Sequence, residues 1–242
     1  YYFTSAVALG SPHRPVSFAV PTGNFGDIFA GWVAKQMGLP IERLVIATNS
    51  NDILARTLAS GRYELRDVTA TQSPSMDIQV SSNFERLLFE AYRRDAGAVR
   101  RLMESLRQSG GFSLDPGPLA AVRAEFDAAS ASEAETTSEI ARVWQESHRL
   151  VDPHTAVGIS AARQRLREQP HCPVVALATA HPAKFGSAIE KALGFSVELP
   201  PSLFDMLSRE EHFTVLPNDQ AAVERFIATH SGVVRIARSS LS

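Results

Sequence analysis

Val16-Ser17-Phe18-Ala19-Val20, then Pro21-Thr22-Gly23-Asn24-Phe25-Gly26-Asp27, then the amphipathic stretch from Ile28 to Met37, read as a strand, a glycine-bearing turn and a helix. Two glycines let the backbone turn sharply and approach a ligand closely. The turn feeds a helix N-terminus, whose free N–H groups and dipole favour an anion. In physical terms this is a seat for a phosphate, with nothing to say whose. A Thr-Gly-Asn turn with Asp27 as the helix cap is also an ordinary strand-to-helix connection. The spacing is not G-x-G-x-x-G and no Lys-Ser or Lys-Thr pair follows, so neither a dinucleotide fingerprint nor a Walker loop is indicated.

Working outward, Leu44-Val45-Ile46-Ala47 reads as a second strand, and Asn51 or Asp52 caps a helix through Leu58 that Gly61 closes. Strand, helix, strand, helix with short links implies a parallel sheet with right-handed crossovers. On the first helix Ile28, Phe29, Trp32, Val33 and Met37 form one apolar stripe, and Gly38 ends it. Residues 82–149 differ. Ser82-Asn83-Phe84-Glu85 has the form of a capping box, and helices follow over roughly Ala98–Gln108 and Leu119–Ala128. Ser132 with Glu135 and Thr136 with Glu139 compete to cap a helix running to His148. The α/β pattern resumes with a helix from Asp152 to about Arg167, the apolar strand Val174–Ala178, and a helix from Thr179-Ala180-His181-Pro182 to Leu193. Phe213-Thr214-Val215-Leu216 is expected as an edge strand and Asp219–His230 as a closing helix. The expected fold class is α/β, a parallel open sheet with flanking helices. Residues 1–81 and 150–242 form its two parts, and 82–149 is a helical insertion between them.

With 242 residues, 44% of them hydrophobic, and a formal net charge of -2, the chain suits one large soluble domain or one and a half small ones and argues against a dedicated nucleic-acid binder. No apolar stretch approaches a membrane span and no charged-then-apolar leader opens the chain, so no membrane partner is expected. The single Cys172 excludes an internal disulfide and a cysteine-rich zinc site and fits a reducing cytoplasm. The seven histidines form no H-x-x-x-H or H-E-x-x-H pattern, so no metal is expected, and no G-x-S-x-G elbow exists. The chain opens on Tyr1-Tyr2-Phe3-Thr4-Ser5-Ala6-Val7-Ala8-Leu9, like the middle of a buried helix, and is expected to be a fragment of a longer protein.

Ligands of open α/β sheets bind at the carboxyl ends of strands. The Gly23–Asp27 turn has that address, and so do Thr179 and His181 at the end of the Val174–Ala178 strand. Thr155, at a helix start, is a third candidate near them. Each has a plainer reading: Thr155 and Thr179 as caps, His154 and His181 as partly buried structural histidines. The stretch Ser73-Pro74-Ser75-Met76-Asp77-Ile78-Gln79-Val80-Ser81-Ser82-Asn83 is either a ligand loop or the entry to the insertion.

Five segments together resemble the threonine synthase family. They are Pro21–Asp27; Ile46-Ala47-Thr48-Asn49-Ser50-Asn51-Asp52-Ile53-Leu54; Ser73–Ile78 with Ser82-Asn83-Phe84-Glu85-Arg86; Asp152-Pro153-His154-Thr155-Ala156-Val157-Gly158; and Thr179-Ala180-His181-Pro182-Ala183-Lys184-Phe185. The resemblance implies a fold-type II pyridoxal 5'-phosphate enzyme, like tryptophan synthase β in fold, that turns O-phospho-L-homoserine and water into L-threonine and phosphate. It implies that Gly23, Asn24, Phe25 and Gly26 hold the cofactor phosphate through backbone N–H groups and that the Thr179 hydroxyl meets the pyridine nitrogen. Thr155, Ser75 and Asn83 are implied as site lining. The family's Schiff-base lysine lies well upstream of the glycine turn, and none of Lys35, Lys184 and Lys191 matches it. The chain is therefore expected to be a carboxyl-terminal portion with no catalytic residue of its own, inactive without the missing amino-terminal half. Another fold-type II lyase or dehydratase, and a non-catalytic α/β domain that binds a phosphate ligand, are the alternative readings.

Overall fold

The computed structural model of the protein describes residues 1–231. Its elements are α1 (Tyr2–Ala8), β1 (Val16–Pro21), α2 (Gly26–Gln36), β2 (Ile41–Thr48), α3 (Ile53–Ser60), β3 (Arg62–Glu64), α4 (Phe84–Ala91), α5 (Ala96–Ser109), β4 (Gly111–Ser113), α6 (Pro116–Glu125), β5 (Phe126–Ser130), α7 (Glu133–Ser147), α8 (Pro153–Glu168), β6 (Val174–Ala176), α9 (Gly186–Leu193) and α10 (Gln220–His230). Short 3₁₀ turns cover Pro74–Met76 and Pro182–Phe185. Among the described residues, 199–231 belong to a second unit, in which Asp219 caps α10 by accepting the Ala222 N–H. No helix among the described residues is long and apolar enough to cross a membrane.

Four strands pair in the order β5-β2-β1-β6, all parallel. Every residue of β1 is buried, as expected for a parallel strand covered on both faces. Alternation assigns the faces. Val16, Phe18 and Val20 pack with Leu44 and Ile46 of β2 and with residues of α2, α3 and α4. Ala19, Val45 and Ala47 face the other way, onto Val157, Ala161 and Ala162 of α8. That second layer is built from small residues. A Cβ on Gly158 would sit 3.0 Å from the Pro21 ring, so α8 crosses β1 closely at the strand's carboxyl end.

Several expectations change against the structure. On α2 the buried positions are Ile28, Gly31 and Ala34, with Phe29 and Trp32 beside them, while Val33 and Met37 are exposed. The stripe is rotated because Tyr2 of α1 packs directly over Gly31. Residues 82–149 are chiefly helical, but α6 stops at Glu125 and Phe126–Ser130 returns to the sheet beside β2. Phe-Asp-Ala-Ala-Ser has weak strand propensity, so pairing with β2 makes this strand. Ser82–Glu85 makes no capping box: Asn83 takes the cap position without a side-chain cap bond. Asp52 likewise makes no cap bond and its carboxylate takes Arg56 Nε at 2.8 Å instead. Of the competing caps before α7, Ser132 with Glu135 forms the box. Phe213–Leu216 forms no strand, and Phe213 and Val215 are exposed. A strand needs a neighbour for its backbone groups, and these residues have no ladder partner among the described residues.

Gly31 offers a direct test of this packing. A Cβ there would lie 2.5 Å from the Tyr2 ring and 3.0 Å from Leu44 Cδ2. The ring cannot swing away freely, because its hydroxyl donates to the Asp27 carbonyl at 2.9 Å. Burial, and then the Asp27 carboxylate, push the Tyr2 phenol up, so it stays protonated to make that bond. Gly31→Ala is expected to destabilise by about 1–3 kcal/mol through overpacking, measured by urea unfolding.

Candidate functional site

The carboxyl ends of β1, β2 and β6 lie side by side, and the segments leaving them make the site. Leaving β1, the chain turns through Thr22–Phe25 into α2. Phe25 sits at the N-cap in the left-handed region, at φ 69°. That conformation costs a non-glycine residue about 1–2 kcal/mol. It is held because the Phe25 ring is buried against Phe84 at 5.2 Å and Phe126 at 5.6 Å, and burying a Phe contributes about 1.5–3 kcal/mol. The reversal places the Phe25 ring in the core. Among the described residues, the N–H groups of Gly23, Asn24 and Phe25 have no protein acceptor, and no side chain caps α2. The Gly26 N–H is taken by Asn24 Oδ1 at 3.0 Å. Three unpaired donors at a helix start suit an anion.

The turn is braced from the other side by residues 73–83. A Cβ on Gly23 would lie 2.7 Å from the Ser75 carbonyl oxygen, so only glycine lets these two backbones touch. Ser81 Oγ donates to the Gly23 carbonyl at 2.8 Å. Asn83 donates to the Asn24 carbonyl twice, from its backbone N–H at 2.9 Å and from Nδ2 at 3.1 Å. Asn83, read from sequence as part of a capping box and as site lining, is a clamp on the turn. The loop itself is tied to the end of β2: Asp77 Oδ1 accepts from Asn49 Nδ2 at 2.8 Å, Asn51 Nδ2 at 3.0 Å and Thr71 Oγ1 at 2.6 Å.

The third segment centres on Asp152, the N-cap of α8, which is fully buried. Its Oδ1 accepts from the His154 backbone N–H at 2.9 Å and pairs with His154 Nδ1 at 2.8 Å. Its Oδ2 accepts the Thr155 hydroxyl in a short hydrogen bond. His154 Nε2 accepts the Ser75 N–H at 3.2 Å, so the ring proton is on Nδ1, facing the carboxylate. Thr155 Oγ1 also accepts the Thr179 N–H at 3.3 Å. Burial pushes the Asp152 carboxyl up, but the hydrogen bonds from His154 and Thr155 outweigh it and hold the carboxyl below its ordinary value.

The structure thus brings Gly23, Asn24, Phe25, Gly26, Ser75 and Asn83 together, and it places Thr155 against Thr179. Ser75 and Thr179 are exposed, whereas Thr155 is buried and uses its hydroxyl on Asp152 and Thr179. His154 is buried, in line with the plainer reading of it. Sequence reasoning passed over Asp152, Asn49 and Asp77. Asp152 was visible as a helix start, and its carboxylate is bonded by His154 and Thr155, which in turn take the N–H groups of Ser75 and Thr179. Lys35 pairs with Glu125 at 2.6 Å in the last turn of α2, the end away from the glycine turn. Lys184 and Lys191 are exposed. No group of three or more metal-ligating side chains occurs among the described residues.

Residues 155–227 match a family model described as the carboxyl-terminal part of threonine synthase. Over 95% of its length the chain is 48% identical to a threonine synthase of Pseudomonas aeruginosa and spans 49% of that protein. A PLP-bound threonine synthase from Brucella melitensis superposes with a TM-score of 0.87 at 57% identity, over 96% of this chain and 50% of that one. The threonine synthase of yeast superposes with a TM-score of 0.80 at 40% identity, over 87% of this chain and 46% of that one. The parallel sheet with its glycine turn therefore places the chain in the fold-type II class of α/β proteins. Within that class the chain is similar along nearly its whole length to threonine synthases. It spans about half the length of the curated relatives it matches.

The depressed Asp152 carboxyl links the site to stability. Its contribution is fully present above the unfolded value of 3.8 and is lost as pH falls through the lower folded value. The urea midpoint is expected to fall on acidification below about pH 4, and to fall less steeply in Asp152→Asn, as read from unfolding curves taken across that range.

Proposed function

We propose that this chain is the carboxyl-terminal portion of a threonine synthase that uses pyridoxal 5'-phosphate, acts in the cytoplasm, and converts O-phospho-L-homoserine and water to L-threonine and phosphate. The observation that carries the reading is the set of unpaired N–H groups at Gly23, Asn24 and Phe25, at the start of α2, in a chain similar along nearly its whole length to threonine synthases. A doubly charged phosphate fits those donors and the positive end of the helix. Gly23 lets the turn lie directly against the 73–83 loop, since a side chain there would collide with the Ser75 carbonyl.

When bound, the cofactor supplies the electron-accepting ring that a γ-elimination and a β-addition of water require. The chain's own part is to hold and orient it. The Gly23–Phe25 N–H groups would take the phosphate, Asn83 and Ser81 keep that turn in shape, and the Thr179 hydroxyl would serve the ring nitrogen. A neutral hydroxyl there, in place of a carboxylate, leaves the nitrogen largely unprotonated and moderates electron withdrawal. We assign the amine that bonds the cofactor, and the groups that grip the substrate phosphate, to the half of the relatives' length that this chain does not span. Lys35 is engaged with Glu125, and Lys184 and Lys191 stand exposed.

Two variants of the full-length protein test the reading. Gly23→Val is expected to weaken cofactor retention by about tenfold or more, the loss of at least one charge-assisted hydrogen bond. The measurement is an absorbance titration with pyridoxal 5'-phosphate, and wild-type retention would remove the turn from the site. Thr179→Ala is expected to keep the cofactor while turnover drops by about tenfold, because the hydroxyl that meets the ring nitrogen is gone. Unchanged steady-state kinetics would remove Thr179.

A further inference from the structure

Two segments meet the two ends of the proposed cofactor, and neither touches the other in sequence: the 73–83 loop behind the Gly23 turn, and the chain leaving β6 at Thr179. The same buried carboxylate holds both. From Asp152 Oδ1 one branch runs through the His154 ring to the Ser75 N–H, whose own carbonyl abuts Gly23. From Oδ2 the other branch runs through the Thr155 hydroxyl to the Thr179 N–H. The His154 ring is further packed by Phe185, at 4.8 Å between ring centroids, from the 3₁₀ turn that follows Thr179. Each branch has a fixed donor direction. His154 must carry its proton on Nδ1 to accept from Ser75, and Thr155 must donate to Oδ2 to accept from Thr179.

Resting on the function proposed above, we infer that Asp152 is a positioning residue that sets the separation between the phosphate turn and Thr179, and thereby the length of site offered to the cofactor. A carboxylate is required because both branches end in donors aimed at it. An amide has one acceptor oxygen and one donor NH2 group. Its NH2 would face either the Thr155 hydroxyl, which then loses its acceptor, or His154 Nδ1. In the second case the imidazole proton moves to Nε2 and opposes the Ser75 N–H. Capping alone does not require the carboxylate, since Asn caps helices about as well as Asp.

That difference makes Asp152→Asn the informative change in the full-length protein. The variant is expected to stay folded at the assay temperature while unfolding below the wild-type temperature, since it lacks the carboxylate's contribution to stability. Its pyridoxal 5'-phosphate dissociation constant is expected to rise more than about tenfold as buried groups lose partners. In ¹⁵N NMR, wild-type His154 is expected as the Nδ1–H tautomer, and the variant is expected to shift it toward Nε2–H or to displace the Thr179 amide resonance. Thr155→Val separates the branches: it should displace the Thr179 amide, leave that of Ser75 in place, and weaken cofactor binding. Thr155→Ser should restore both. The inference is overturned if wild-type His154 carries its proton on Nε2. It is also overturned if Asp152→Asn leaves the His154 tautomer, the Ser75 and Thr179 amides and the dissociation constant at wild-type values. If Asp152→Asn does not fold, the Thr155→Val and Thr155→Ser pair decides. Failure of the wild-type protein to bind pyridoxal 5'-phosphate would overturn the functional reading instead, and the His154 and amide resonances would still decide the role of Asp152.

Discussion

The parallel pairing of β1 with β2 on one side and β6 on the other is what the rest of the molecule is arranged around. A strand with both faces buried and both edges paired leaves its backbone no contact with water, so every residue of β1 must be small or apolar and helices must cover both sides. Parallel pairing has a second consequence. All the carboxyl ends fall at one edge of the sheet, and the chain leaves each of them in a loop free to carry polar groups. The turn after β1, the asparagines after β2 and the threonine after β6 are neighbours for that reason alone.

Close approach is the second constraint, and it explains the small residues. Gly158 lets α8 sit against Pro21, at the end of β1, and so brings Asp152, His154 and Thr155 at the start of α8 to the edge where the turn lies. Gly23 lets the 73–83 loop touch the turn from the opposite side. Phe25 shows the reverse case: a strained backbone is kept because its ring fills the core between Phe84 and Phe126. Strain at the turn and burial beneath it are two sides of one residue, which anchors the helix that follows.

The polar groups at this edge are not scattered. Asp77 gathers Asn49, Asn51 and Thr71, and Asp152 gathers His154 and Thr155. Both carboxylates act as acceptors for several donors at once, which makes loops without regular ladders as definite in shape as the strands they leave. Tyr63 adds a link between the β3–β4 pair and the loop, donating to the Gln79 carbonyl at 3.2 Å and accepting the Ser81 N–H at 2.8 Å.

What the sequence determined by itself was local or periodic. Alternation and apolar runs located β1, β2 and β6. Glycine, proline and capping residues located the turn after β1 and the starts of α7, α8 and α10. These features are written within a few residues, because side-chain period and cap chemistry are short-range. Family resemblance added the kind of site but not its supports. Tertiary structure decided the rest. Phe126–Ser130 became a strand only because β2 offered it a ladder, and Phe213–Leu216 did not become one for want of such a partner. Asp52 takes Arg56 in place of its expected cap bond, and Asn83, at the start of α4, donates to the Asn24 carbonyl across the fold. Asp152 turned from a simple helix cap into the point where residues 75, 154, 155 and 179 meet. A hydrogen-bonding side chain takes whichever partner the fold brings within about 3 Å, and partners separated by scores of residues are set by packing, which no local pattern records.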